Sequence, residues 1–141
     1  MRHLLRKWLY RRARTITGGT AGERAGRLFD AGLNCAQAVL QATSGSDDQK
    51  LLAMAEAFGG GVGGSKCLCG AATGGVMALG LNGRPQRAGK LMAAFRERHK
   101  VTCCKSLSAA YRWKSPEHIA NCRRITVATA EMVEALLLEG K

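Results

Sequence analysis

The chain has 141 residues, 46% of them hydrophobic, six cysteines and a formal charge of +12. That length suits one domain with a real core, and six cysteines fall well short of the ~8–10% of a disulfide scaffold. No apolar run approaches a membrane span, and a basic field of this size attracts anions, acidic proteins or acidic surfaces.

The charge is uneven. Residues 1–27 carry eight Arg or Lys against Glu23, and residues 84–124 carry eleven against Glu97 and Glu117, while 28–83 and 125–141 are slightly acidic. Aromatic residues are only 5% of the chain, which argues against a nucleic-acid binder that stacks bases. Residues 1–22 read as a basic amphipathic helix plus linker. Leu4, Leu5, Trp8 and Leu9 fall on one helical face among arginines, to pack on its own domain, a twin subunit in a homodimer, an acidic protein or an anionic surface. Leu4-Leu5 is broken at once by Arg6 and Lys7, so no secretory signal is expected and the chain reads as cytoplasmic, where thiols stay reduced.

Residues 23–141 read as a single helical domain. A helix from about Glu23 to Asp30 is ended by Gly32. Asn34 caps a helix opening with Cys35, and Ser44-Gly45-Ser46 breaks it. Asp47 or Ser46 caps Asp48 to Phe58, with Leu51, Leu52, Ala55 and Phe58 inward and Met54 at the edge of that stripe. The glycine-rich loop Gly59–Gly64 follows, then Lys66, Cys67 and Cys69, then a helix over 70–80 whose small residues predict close, buried packing. Asn82-Gly83 is a turn, and Arg84 to about Lys100 a basic helix. Thr102 caps a turn with Cys103 and Cys104. Ser115-Pro116-Glu117 starts a last helix with Ile119, Cys122, Ile125, Ala128, Met132, Leu136 and Leu137 inward. The fold class is all-α, a compact bundle of about six to seven short helices.

Three cysteine positions fall at helix starts: Cys35, Cys69 and the Cys103-Cys104 pair. Unpaired N–H groups there favour thiolate over thiol, as do the nearby Lys66, Lys105, Arg123 and Arg124. Thiolates attack disulfides and bind metals. A Cys103–Cys104 bridge would be strained, whereas Cys67-Leu68-Cys69 can bend into one more readily. No C-x-x-C, haem or zinc-ribbon spacing occurs, so a metal site would be assembled from distant segments. Gly59-x-Gly61-x-x-Gly64 matches the dinucleotide pattern by letter but follows a helix, not a strand. His99 and His118 could assist a cysteine as base or ligand, but flanked by Arg98, Lys100, Glu117 and Ile119 they read as solvated helix residues.

Asn34-Cys35-Ala-Gln-Ala-Val, Phe58-Gly-Gly-Gly, Cys69-Gly-Ala-Ala-Thr-Gly74, Cys104-Lys-Ser-Leu107 and Cys122 together resemble the C_GCAxxG_C_C family of redox-active proteins. The resemblance implies that Cys35, Cys69, Cys104 and Cys122 are the shared four, with Cys67, Cys103 and the first helix as additions. The expected function is thiol–disulfide exchange or electron transfer with a redox partner. Cys69 is the expected nucleophile, Cys35, Cys104 or Cys122 the resolving thiol, and Cys67 a further participant. The rival readings are a metal centre, [2Fe–2S] or zinc, on Cys35, Cys69, Cys104 and Cys122, and a non-catalytic basic binding module.

Overall fold

The structure, a computed structural model, describes residues 2–46 and 48–140. Eight α-helices and no strand occur among them: α1 Arg2–Ala13, α2 Ala21–Asp30, α3 Cys35–Ser44, α4 Gln49–Glu56, α5 Gly70–Leu81, α6 Ala88–His99, the single turn α7 Cys104–Leu107, and α8 Pro116–Leu138. Short 3-10 turns at Val62–Gly64 and Pro85–Arg87 precede α5 and α6. The all-α expectation holds, and no described helix is long and apolar enough to cross a membrane.

The centre of the bundle is α5 against α3, with α6 and α8 also packed on α5 and α2 on α3 and α8. The sequence GAATGGVMALGL explains why α5 takes the middle. A Cβ on Gly74 would run into the Ala36 carbonyl and lie 3.0 Å from Ala36 Cα. One on Gly75 would lie 2.7 Å from Leu91 and 2.9 Å from Val133. Only glycine lets α3 approach on one side and α6 and α8 on the other. Around this contact Val39, Leu79, Leu91, Phe95 and Val133 form the main core, and a second cluster on Leu28, Leu33, Leu52 and Tyr10 joins α1 and α2 to it.

Asn34 builds the start of α3 twice over. Its side chain accepts from the Gln37 N–H while the Gln37 side chain accepts from the Asn34 N–H, a complete capping box. Its amide also donates to the Glu56 carbonyl at 2.9 Å, tying α3 to the end of α4. Asn34→Ala is expected to cost about 1–2 kcal/mol, read as a fall in urea midpoint with unchanged slope; an unchanged midpoint would show that the cap contributes nothing.

Several local expectations change under tertiary contact. Helix α1 turns Tyr10 and Ala13 inward, not the Leu4, Leu5 and Trp8 face; those three are 69%, 61% and 56% exposed. The buried Gln37 amide donates to Tyr10 Oη and to the Leu52 carbonyl, and Arg6 pairs with Glu56 at 3.0 Å, which fixes the rotation of α1. Met54 lies outside on α4, and Ile119 outside on α8. In α8 the inward face instead includes His118, Thr126, Thr129 and Val133, because α2 grips one flank and α3 and α5 another. The cap of α4 is Asp48; Ser46 is not the cap, and Asp47 lies outside the described residues. Cys103 rather than Thr102 occupies the cap position of α7, and α2 begins at Ala21 inside the expected linker.

Candidate functional site: a cavity walled by four thiols

The glycine loop between α4 and α5 is folded back on itself. Lys66 N–H donates to the Gly60 carbonyl, Val62 N–H to that of Cys67, and Gly63 N–H to that of Ala57. At Gly61, φ is +87° and a Cβ would collide with the backbone of Lys66 and Cys67, so glycine is required there. The stretch 66–69 then runs beside 102–105. Cys69 N–H donates to the Thr102 carbonyl at 2.8 Å, and Lys105 N–H to the Lys66 carbonyl at 3.0 Å. The dinucleotide pattern is thus spent on a knot after a helix, with no sheet around it.

This backbone pairing aligns two sulfur pairs. Cys67 and Cys103 form a disulfide, their Cα atoms 4.3 Å apart, a pairing distinct from the local Cys103–Cys104 and Cys67–Cys69 bridges and from those of Cys69 with a resolving thiol. One step inward, Cys69 and Cys104 lie close together, both buried and both lining the same cavity. Cys35, Cys69, Cys104 and Cys122 remain free thiols, and all four line one cavity of about 570 Å³. Cys35 reaches it from the start of α3, against the start of α5: a Cβ on Gly70 would lie 2.5 Å from Cys35 Sγ. Cys122 reaches it from α8.

The four thiols differ electrostatically. Cys104 is lowered to about 7 from an ordinary 9.0: its sulfur accepts from the Cys69 thiol and from the Gly70 N–H at the first turn of α5, against some burial. Cys69 is pushed well up, first because its proton is held in that hydrogen bond, then by burial and by the charge of Cys35 and Cys104. Burial also raises Cys35, against an N–H from Gly60. Cys122 is pushed up to about 11, chiefly by burial, with the Ser108 hydroxyl offsetting part of it. The thiolate therefore sits on Cys104, while Cys69 stays protonated.

His118 is 6% exposed, not solvated. Its Nδ1 accepts from the Lys114 N–H at 2.8 Å, so the neutral ring carries its proton on Nε2, 3.4 Å from Cys122 Sγ. Burial, then Lys66, lowers its pKa, which keeps the ring neutral and a donor to that sulfur. Trp113 stacks on His118 at 4.2 Å between centroids, and Lys66 Nζ lies 4.4 Å from the centre of the Trp113 ring. Trp113 and Ser108, unflagged in the sequence, both line the cavity. Only the single tryptophan in an aromatic-poor stretch signalled them. His99 lies outside the cavity, stacked on Phe95.

The four sulfurs share a cavity without forming a ligand set. Among the described residues no group of three or more His, Cys, Asp or Glu side chains is arranged to hold a metal ion.

The helical bundle brings four free cysteines to one cavity, Cys69 and Cys104 buried and Cys35 and Cys122 half-buried. The chain belongs to the C_GCAxxG_C_C family, whose model, described as "Putative redox-active protein (C_GCAxxG_C_C)", matches residues 33–136. The match takes in all four cavity cysteines and also Cys67 and Cys103. No curated protein and no solved structure matches the chain.

Proposed function

We propose that the cavity carries out thiol–disulfide exchange, with Cys104 as the attacking thiolate and Cys69 as the resolving thiol. The Cys104 sulfur attacks one sulfur of a substrate disulfide, forming a mixed disulfide and expelling a substrate thiolate. Cys69 then attacks Cys104 Sγ, its proton passing to the departing sulfur. The products are a Cys69–Cys104 disulfide, one substrate thiol and one substrate thiolate, which takes its proton from water, so the protein is oxidised by two electrons and the substrate reduced by two. The observation that carries this reading is that Cys69 and Cys104 are buried free thiols lining one cavity, with Cys104 lowered to about 7 chiefly by its contact with Cys69. On this reading Cys104, rather than the expected Cys69, is the nucleophile. Cys35 and Cys122, both raised by burial, wall the cavity and serve as reserve thiols.

The test starts from the chain with Cys67–Cys103 bridged and the other four cysteines reduced. One equivalent of hydroxyethyl disulfide at pH 7 is expected to give a Cys69–Cys104 disulfide by peptide mapping, reversed by dithiothreitol, with Cys35 and Cys122 still alkylatable. Retention of free Cys69 and Cys104 would overturn the reading. So would one equivalent of iron or zinc in anaerobically purified protein, with all four thiols shielded.

A further inference from the structure

Two disulfide-forming pairs lie side by side, and only the inner one belongs to the cavity. Cys67 is exposed and Cys103 partly exposed, while Cys69 and Cys104 are buried. The two pairs are joined twice through the chain: Cys67 and Cys69 are separated by Leu68 alone, and Cys103 and Cys104 are adjacent. The hydrogen bonds from Cys69 N–H to Thr102 and from Lys105 N–H to Lys66 hold the two segments side by side, with the outer pair toward solvent and the inner pair buried. In this arrangement the outer pair is a disulfide and the inner pair is reduced.

From this juxtaposition we propose that Cys67 and Cys103 are a relay, which takes the oxidising equivalents of the inner disulfide out to an external dithiol. The proposal rests on the reading of Cys69 and Cys104 as the exchange pair. With the outer pair reduced and the inner pair oxidised, Cys67 thiolate attacks Cys69 Sγ. The Cys67–Cys69 bond forms, the Cys69–Cys104 bond breaks, and Cys104 leaves as thiolate. Cys104 is the better leaving group of the two, since the lower-pKa sulfur departs faster. Cys103 then attacks Cys67 Sγ, forming the Cys67–Cys103 bond. Cys69 departs with the Cys103 proton and returns to its contact with Cys104. Two electrons have passed inward, and the chain is in the state seen here. An external dithiol, protein or small molecule, reduces the outer bridge through a mixed disulfide and is itself oxidised. A buried nucleophile is thereby regenerated by a reductant too large to enter the cavity.

The experiment adds one equivalent of hydroxyethyl disulfide to the fully reduced chain at pH 7. The bridge found by peptide mapping should be Cys67–Cys103, with Cys69 and Cys104 reduced. In Cys104→Ser the same bridge should form at least about tenfold more slowly, because the outer thiols must then react without the cavity thiolate. Cys103→Ser should arrest with a Cys67–Cys69 disulfide, a product that a folding defect does not create. An unchanged rate of bridging in Cys104→Ser, a stable Cys69–Cys104 bridge beside free Cys67 and Cys103 in the wild type, or no Cys67–Cys69 bond in Cys103→Ser would each overturn the relay. A Cys69–Cys104 disulfide formed in the pre-bridged chain leaves the exchange reading standing when the relay fails. Its absence there removes both.

Discussion

Cys104→Ser is expected to abolish fast alkylation at pH 7, and Cys69→Ala to move the alkylation midpoint of Cys104 from about 7 toward 9.0. The sign follows from the Cys69–Cys104 contact. Cys69 favours the charged form of Cys104, so its loss leaves the burial cost opposed only by the Gly70 and Cys104 N–H groups. With a midpoint near 7, about half of Cys104 is thiolate at pH 7; at 9.0 only about 1% is. The thiolate fraction thus falls about fiftyfold. Greater intrinsic nucleophilicity of the more basic sulfur returns part of this, so about a tenfold fall in iodoacetamide rate at pH 7 is the expected reading. Cys69→Ser keeps a hydroxyl donor and should lie between. In Cys104→Ser the residual reaction at Cys122, raised to about 11, begins from a thiolate fraction of roughly 10⁻⁴ at pH 7. A midpoint that stays near 7 in Cys69→Ala would show that the inner pair is not coupled and would remove the assignment of nucleophile.

Gly74→Ala is expected to destabilise the chain by about 3 kcal/mol, a fall in Tm of roughly 10 °C. On helix propensity alone the substitution is favourable by ~1 kcal/mol. Packing reverses the sign, because the new methyl meets the Ala36 backbone and not a flexible side chain. Separation of α3 from α5 would also draw Cys35 off Gly70, since each opens its helix at the cavity wall. Gly80→Ala, on the exposed end of the same helix with nothing within 4 Å, is the control and should gain ~0.5–1 kcal/mol. Equal effects at the two positions would mean that close approach of α3 does not govern the glycines of α5. The variant also reads function: displaced helix starts should slow Cys104 alkylation, because its sulfur depends on the Gly70 N–H.

Local chemistry was legible wherever a residue's role depends on neighbours in sequence. Asn34 before Cys35, Ser115 before Pro116, and Gly45 after Ser44 act over one to three residues, and the helices they bound lie where their patterns place them. The small residues after Cys69 announced a buried helix, because only glycine and alanine tolerate close approach on two sides. What failed locally was rotation. Leu4, Leu5 and Trp8 were the apolar choice for burial, yet Tyr10 and Ala13 were taken, since the buried amide of Gln37 needs the Tyr10 hydroxyl. His118 looked solvated between Glu117 and Ile119, and lies buried under Trp113.

The sequence by itself determined a helical chain with cysteines at helix starts, because caps and periodicity act within a turn or two. Only the tertiary structure decided how six sulfurs divide into an outer bridge and four cavity thiols. That division depends on two segments separated by 36 residues, brought into register by backbone hydrogen bonds whose partners no local pattern names. The same pairing puts a protonated sulfur against Cys104 and lowers its pKa, while Cys69, the nearer neighbour of Lys66 along the chain, is raised. A thiol's charge is set by the donors and the water around it in space, and those are fixed only when the helices pack.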